Sequence, residues 1–186
     1  LAFAPGTSFY GTREVVGPLE RSGKRVPLWN TDAFQYEEED SQLYQSHPYV
    51  LAVRPDGSAL GLLADTIRRG TITIGGGASG GEANSDPVVE FAFEREPFDL
   101  YAIEGAHPRD VTCALAALVG RIALPPLWAL GYHQCRWSYM SADELRALGH
   151  EFRRRGIPCD GLWLDIDYMD RFRVFTTDPE TFPDLP

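Results

Sequence analysis

Residues 161–167 read Gly161-Leu162-Trp163-Leu164-Asp165-Ile166-Asp167, an apolar run that ends in two aspartates. A short apolar run without alternation is typical of a strand buried on both faces of a parallel sheet. Packing does not explain two carboxylates at the end of such a strand, because burying an unpaired charge costs free energy. Side chains at the C-terminal ends of parallel strands face the ligand crevice of α/β folds, so Asp165 and Asp167 are candidates for ligand contacts. The structural alternative is that they cap the following loop or form a salt bridge with it.

The residues before this strand predict the rest of a strand–helix–strand unit. Residues 128–133 form a second, near-continuous apolar run, which predicts another buried strand. Ser141 and Glu144 have the spacing of a capping box at the start of a helix. Gly156 suits the position just after that helix, and Pro158 cannot continue it. Two strands joined by a helix predict a parallel α/β arrangement in the last third of the chain.

The earlier part of the chain predicts a β-sandwich. Short apolar or aromatic runs recur there between turn residues, and they occupy residues 9–11, 26–29, 49–53, 59–64, 71–74, 88–93 and 99–103. Asp56 and Gly57 stand between two of these runs, which is a strong hairpin signal. Many short strands at regular spacing favour a sandwich.

A helix is predicted between the two parts. Pro108 suits the first turn of a helix, and apolar residues recur at helical spacing from Val111 to Ile122. Two prolines, Pro125 and Pro126, then end the helix. We therefore expect three segments, namely an N-terminal β-sandwich over residues 1–106, a helical connector over residues 107–124 and an α/β segment over residues 125–186.

Charge and cysteine content exclude several classes of partner. The chain has 186 residues and a formal net charge of −10, which argues against nucleic acid and anionic membrane surfaces because both attract clustered cations. No apolar run approaches the roughly 18 residues of a membrane span.

The odd number of cysteines (Cys113, Cys135 and Cys159) without CxxC spacing fits reduced, buried thiols in a cytoplasmic protein. No signal peptide is visible from Leu1 onward, but the chain does not begin with Met and a targeting segment could precede it.

Two glycine motifs lack the context that their chemistry needs. Gly75, Gly77 and Gly80 match the GxGxxG dinucleotide fingerprint, and residues 77–81 match the GxSxG nucleophile elbow. Both motifs require a helix directly after the glycines, whereas residues 82–87 read as a loop. A glycine-rich loop is therefore the preferred interpretation.

No metal site or cofactor is expected. His133, Cys135 and Cys159 are near enough in sequence to suggest a metal, but they lack the spacing of a ligand pair. A packed histidine and structural thiols are the preferred interpretation of these three residues.

Aromatic residues accompany the two aspartates. The two loops that follow the predicted strands contain Trp137, Tyr139, Tyr168, Phe172 and Phe175. Aromatic faces beside carboxylates that accept hydroxyl hydrogens suit a neutral polyol such as a sugar. The alternative is that these aromatic side chains pack in a core.

Three stretches carry a resemblance to a known family. Residues 125–139 read Pro-Pro-Leu-Trp-Ala-Leu-Gly-Tyr-His-Gln-Cys-Arg-Trp-Ser-Tyr, and residues 157–169 read Ile-Pro-Cys-Asp-Gly-Leu-Trp-Leu-Asp-Ile-Asp-Tyr-Met. A shorter match covers residues 28–33 and 44–48. In this order and spacing the stretches closely resemble glycoside hydrolase family 31, the α-glucosidase and α-xylosidase family.

The resemblance implies a fold and a set of sugar contacts. The implied fold is a mixed β and α/β architecture, in which a galactose-mutarotase-like β-sandwich is followed by the start of a (β/α)8 TIM barrel. Asp165 resembles the aspartate that binds the non-reducing sugar hydroxyls in the −1 subsite, and Ile166 and Trp137 resemble wall residues of that subsite. Asp32 resembles an aspartate on a sandwich loop that reaches toward the +1 sugar, whereas Asp167 resembles a structural residue.

The resemblance also implies what this chain lacks. The family's retaining mechanism uses two carboxyl groups about 5 to 5.5 Å apart, and both lie on later barrel strands. No Trp-x-Asp-Met-Asn-Glu type motif occurs here, so we assign no catalytic residue. Residues 125–186 are far fewer than the about 250 of a complete barrel. We expect the remaining barrel segments to come from residues or a chain outside this sequence.

The expected function follows from this resemblance. The chain is expected to be part of a retaining α-glucosidase-like hydrolase that acts on an α-linked oligosaccharide or glycoside, and to be inactive alone. The alternative is a self-standing carbohydrate-binding or interaction module without catalysis. One departure from the family pattern is Thr177, which stands where an aromatic residue is common.

Overall fold

A computed structural model describes residues 1–37, 42–75, 86–95 and 97–185. Most of the glycine-rich motif, and Glu38 to Asp40 of the acidic run, lie outside these described residues. The chain divides into two compact units, Leu1–Arg121 and Ile122–Pro186. The segment boundaries at residues 106 and 124 stay a prediction.

Seven strands and one helix make up the described part of the first unit. They are β1 (Ser8–Arg13), β2 (Arg25–Leu28), β3 (Ser46–Val53), β4 (Ala59–Asp65), β5 (Gly70–Gly75), β6 (Val88–Phe93), β7 (Asp99–Gly105) and α1 (Pro108–Val119). Every apolar run that predicted a strand in this unit lies in one, except that Trp29 falls just beyond the end of β2.

The strands form two antiparallel sheets, with the orders β1-β3-β4-β7 and β2-β5-β6. The Asp-Gly hairpin is confirmed between β3 and β4. There Asp56 accepts a hydrogen bond from the Ser58 amide at 2.9 Å, and Gly57 has φ +86°. Glycine adopts this left-handed conformation without the clash that a Cβ would cause, which explains its place in the turn.

The two sheets share one apolar core. Phe9, Val50 and Leu62 of the larger sheet and Ile72 and Val89 of the smaller one are buried in a single cluster. Inner faces that interdigitate in this way define a β-sandwich, so this part of the predicted fold class is confirmed.

Helix α1 packs on the sandwich. Val111 is fully buried, and a Cβ built on Gly61 of β4 would lie 2.7 Å from Val111 Cγ1. The helix ends at Val119, before the end of the predicted helical connector at residue 124, and Gly120 follows it with φ +100°. A glycine with positive φ ends a helix before any proline is reached.

The second unit contains a parallel strand–helix–strand unit. Its elements are a 3-10 helix (Leu127–Leu130), β8 (His133–Gln134), α2 (Ala142–Arg154), β9 (Gly161–Leu162) and a second 3-10 helix (Asp170–Phe172). Strands β8 and β9 pair in parallel, with His133 opposite Gly161. The predicted α/β arrangement is therefore confirmed in outline.

The predicted strand over residues 128–133 is wrong for most of its length. The chain forms a 3-10 turn there, in which the Ala129 amide donates to Pro126 O at 3.0 Å and the Gly131 amide donates to Trp128 O at 3.1 Å. A short apolar run fits a helical turn as well as a strand, so the pattern alone could not decide between them. The second predicted strand is also shorter than residues 161–164 and is partly exposed, since Trp163 is 59% exposed.

Both ends of α2 match their predicted signals. Ser141 Oγ accepts a hydrogen bond from the Glu144 amide at 3.2 Å, which confirms the N-cap. The Glu144 carboxylate accepts from the Met140 amide at 2.8 Å instead of completing the box at Ser141. Gly156 has φ +66° just beyond the helix, as its predicted position requires.

The cysteines are all free. Cys159 is buried as predicted, whereas Cys113 and Cys135 are exposed, so the predicted burial is wrong for those two. Among the described residues, no helix is long and apolar enough to cross a membrane.

Candidate functional site

Asp165 lies just beyond β9 with an exposed side chain. Its φ is +65°, in the left-handed region that residues with a Cβ seldom adopt. Ile166 and Trp137 are also exposed, and Trp137 joins Ser138 through a cis peptide bond. Asp167 is half-buried, and its amide donates to Ser138 Oγ at 3.4 Å.

An open cavity of about 890 Å³ borders Asp165. Its lining consists of Cys135, Leu162, Trp163, Leu164, Asp165, Tyr168, Thr177 and Leu185. Among the described residues that line this cavity, Asp165 alone is charged. Apolar and aromatic walls around a few polar groups are the usual composition of a small-molecule site.

The cavity joins only part of the predicted site. Asp165 and Tyr168 line it together, whereas Trp137 and Ile166 do not contribute to its lining. Two other aromatic residues that the sequence placed near the aspartates, Phe172 and Phe175, are exposed and do not contribute to this lining.

Sequence reasoning missed several residues of the lining. Cys135 and Trp163 directly follow the two short parallel strands, so their positions at the strand ends were the available signal. Thr177 comes from a later segment, and no local pattern placed it beside the strand ends.

His133 supports one wall of the cavity. Trp163 Nε1 donates to His133 Nδ1 at 3.1 Å, and His133 Nε2 lies 3.2 Å from Trp128 O. Because the indole nitrogen can only donate, Nδ1 accepts and the proton of the neutral ring is on Nε2. A Cβ on Gly161 would lie 2.6 Å from Nδ1, which explains a glycine at this close approach.

This arrangement gives His133 a structural role. Its ring also stacks on Trp128, with ring centroids 5.8 Å apart and an interplanar angle of 18°. Among the described residues, no group of three or more His, Cys, Asp or Glu side chains is placed to hold a metal ion.

A charged pair anchors the loop that carries Trp137. Arg136 pairs with Glu144 in the first turn of α2, and its Nε donates to Ser138 O at 3.0 Å. The guanidinium carbon lies 4.5 Å from the ring centroid of the buried Tyr139. The hydrogen bond from the Met140 amide lowers the pKa of Glu144, and Arg136 lowers it further.

Asp32 belongs to the first unit, on the loop between β2 and β3, and is exposed. The Tyr44 hydroxyl lies close enough to the Asp32 carboxylate for that carboxylate to affect its pKa. Desolvation raises the pKa of Tyr44, and the charge of Asp32 raises it further. A backbone hydrogen bond fixes this loop, because the Thr31 amide donates to the carbonyl of the buried Leu43 at 2.9 Å.

The chain thus combines an antiparallel β-sandwich with a parallel strand–helix–strand unit, and an exposed carboxylate stands at a strand end of that unit. Residues 1–72 match the glycosyl hydrolase 31 N-terminal galactose mutarotase-like domain, and residues 122–186 match the glycosyl hydrolases family 31 TIM-barrel domain. The chain belongs to glycosyl hydrolase family 31, and it carries a mutarotase-like domain followed by the start of the TIM-barrel domain.

Proteins from several organisms are similar to this chain. Alpha-glucosidase 2 of Bacillus thermoamyloliquefaciens is 40% identical over 178 residues, which are 95% of this chain and 22% of that protein. Lysosomal alpha-glucosidase of Mus musculus is 31% identical over 184 residues, which are 98% of this chain and 18% of that protein. The chain therefore spans about a fifth of the length of these curated relatives.

Solved structures show the same fold. A family 31 alpha-glucosidase from Bacteroides thetaiotaomicron has a TM-score of 0.83 at 40% identity, over 98% of this chain and 29% of that one. The ER glucosidase II complex, which consists of a catalytic subunit and the binding domain of a regulatory subunit, contains a chain with a TM-score of 0.85 at 27% identity. That match covers 95% of this chain and 21% of the other. The predicted family and fold class are confirmed.

Proposed function

We propose that this chain is part of a retaining α-glucosidase-like hydrolase, to which it contributes the sandwich and part of the −1 sugar subsite. One observation carries the proposal. In a chain of this family, an open cavity with aromatic walls has the carboxylate of Asp165 as the one charged group that its described lining contains. The proposed substrate is an α-linked oligosaccharide or glycoside, in keeping with the names of the relatives.

Asp165 is proposed to accept hydrogen bonds from hydroxyls of the non-reducing sugar. Its carboxylate is exposed and forms no ion pair with any described residue, so its acceptor positions are open to a ligand. Hydrogen bonds to a charged acceptor are stronger than those between neutral groups. Ile166 and Trp137 are proposed as walls of the same subsite, and their exposed apolar faces support that role.

Asp32 is proposed to approach the +1 sugar. Its support is the exposed position on the loop between β2 and β3, where the Asp32 carboxylate lies near the Tyr44 hydroxyl and raises its pKa.

The nucleophile and the acid/base are proposed to lie outside this chain, together with the remaining barrel segments. A retaining glycosidase needs two carboxyl groups about 5 to 5.5 Å apart on opposite sides of the scissile bond. The 186-residue chain alone should therefore not hydrolyse p-nitrophenyl α-glucoside. Turnover by the purified chain would refute this part of the proposal.

Substitution of Asp165 in a protein with the complete barrel tests the sugar contact. Asp165→Asn should lower kcat/KM about 100-fold, because hydrogen bonds to a charged group contribute up to about 3 kcal/mol. The fold should survive, since the side chain is exposed. Asp143→Asn, an exposed aspartate on α2, is the matched control and should keep wild-type kinetics. Wild-type kinetics for Asp165→Asn would remove this residue from the site.

The alternative of a self-standing binding module makes a different prediction for the isolated chain. Such a module would bind maltose without further segments, whereas an incomplete subsite should not. Titration calorimetry of the 186-residue chain with maltose separates the two.

We also propose a cytoplasmic location, supported by the three free cysteines, and cell fractionation tests it.

A further inference from the structure

A single buried hydroxyl spans the turn that carries Asp165. Ser138 is fully buried, and its Oγ donates to Leu164 O at 3.3 Å and accepts from the Asp167 amide at 3.4 Å. These two peptide groups flank Asp165 and Ile166 on either side. One side chain from a different loop therefore ties both ends of the turn together.

The sheet itself does not hold this turn. Strand β9 ends at Leu162. Among the described residues, the last backbone hydrogen bond from this segment to the neighbouring strand is the one that the Trp163 amide donates to Gln134 O at 3.1 Å. Asp165 nevertheless adopts φ +65°, a left-handed conformation that is uncommon for a residue with a Cβ, although aspartate tolerates it better than most. Among the described residues, the two hydrogen bonds of Ser138 connect the peptide groups at both ends of this turn.

Ser138 is in turn held by α2. Its carbonyl accepts from Arg136 Nε at 3.0 Å, and Arg136 pairs with Glu144 in the first helical turn. Tyr139, the next residue, is buried beneath the Arg136 guanidinium. The hydroxyl therefore has a defined position from which it can orient the turn.

We propose that Ser138 is a positioning residue that directs the Asp165 carboxylate toward the sugar. The inference rests on the proposed function, because it assigns Ser138 a role only through Asp165. Loss of the hydroxyl would free the turn, and the carboxylate would then spend less time in the orientation that binds the substrate.

The test is a double-mutant cycle in the protein with the complete barrel. Ser138→Ala should lower kcat/KM about 10-fold, which is the effect of losing about one net hydrogen bond. In the Asp165→Asn background the same substitution should cost less than about 2-fold, since residues that act through one another are not additive. A structural role without positioning would instead lower kcat/KM equally in both backgrounds.

A matched control separates an effect on the turn that carries Asp165 from the general effect of removing a buried hydroxyl. Thr181 Oγ1 is buried in the same unit and has no hydrogen-bond partner among the described residues. Thr181→Val should leave kcat/KM unchanged. If Ser138→Ala does not fold, amide exchange of the wild-type protein remains decisive, because the Asp167 amide should be protected and free exchange would overturn the inference.

The outcomes distinguish this inference from the function on which it rests. Full activity of Asp165→Asn would refute the proposed subsite. A severe loss in Asp165→Asn together with wild-type kinetics of Ser138→Ala, or with equal losses in both backgrounds, would refute only the positioning role.

Discussion

Two glycines of the same strand differ in the space around them. A Cβ on Gly70, at the start of β5, would lie 2.6 Å from Ala92 O and 2.2 Å from a ring carbon of Phe93. A Cβ on Gly75, at the end of β5, would meet no atom of the described residues within 4 Å. The backbone carbonyl opposite Gly70 cannot move without disturbing the pairing of β5 with β6.

Gly70→Ala should therefore lower the free energy of unfolding by about 1 to 3 kcal/mol, the usual cost of overpacking. Gly75→Ala is the matched control and should be neutral or stabilising by up to about 1 kcal/mol, because alanine restricts the unfolded chain. Urea denaturation of both variants measures the difference. Equal stabilities would show that the β5–β6 contact adapts to a side chain.

At the scale of the element, the N-terminus of α2 depends on one hydroxyl. Ser141→Ala removes the acceptor of the Glu144 amide and should lower the free energy of unfolding by about 0.5 to 2 kcal/mol. Ser141→Asp keeps an acceptor and adds a negative charge at the helix start, so it should stay close to the wild type. Thermal unfolding followed by circular dichroism compares the two. An aspartate variant as unstable as the alanine variant would contradict the capping role.

The C-terminus of α2 should be sensitive to acid. Hydrogen bonds from Arg154, and then from Arg155, lower the pKa of Glu151 from 4.5 to about 2. A carboxylate whose pKa is lower in the folded state stabilises the fold above the unfolded pKa. This contribution is lost as the pH falls from 4.5 toward about 2.

Glu151→Gln should flatten the dependence of stability on pH in this window. Glu180→Gln is the control, because Glu180 is exposed and forms no ion pair with a described residue. Denaturation midpoints between pH 2 and pH 5 provide the measurement. If the stability of Glu151→Gln depends on pH as strongly as that of the wild type, other carboxylates cause the pH dependence.

Local chemistry explains which elements the sequence could predict. The β3–β4 hairpin depends on Asp56 and Gly57, and α2 depends on Ser141 and Gly156, all of which act within a few residues of their own position. Residues 128–133 carry no such signal, so their apolar run was compatible with both a strand and a 3-10 turn. The sheet orders depend on pairing between distant strands, which no local pattern reveals.

At the scale of the whole molecule, the candidate site also contains residues that a local sequence pattern predicts and residues that only folding brings together. Asp165 could be found because a carboxylate at a strand end is conspicuous in sequence. Cys135 and Thr177 reach the same cavity from other segments, and only the folded chain brings them to it. The roles of Ile166 and Trp137 came from the resemblance, and neither lines this cavity.

The division of the chain leads to the last prediction. The sandwich core lies entirely within residues 1–121, whereas the parallel sheet of residues 122–186 has two strands of two residues each. A sheet that small is not stable by itself in water. Residues 1–121 alone should unfold cooperatively in urea, and residues 122–186 alone should show no cooperative transition.

A shorter fragment, residues 1–106, tests whether α1 belongs to the sandwich. It lacks Val111, which is fully buried against Gly61. Burial of one valine contributes at least about 1.5 kcal/mol, so residues 1–121 should be more stable than residues 1–106 by at least that amount. Equal stability of the two fragments would mean that α1 is a connector that does not stabilise the sandwich. For the previous prediction, a cooperative unfolding transition of residues 122–186 alone would show that this unit does not depend on further segments.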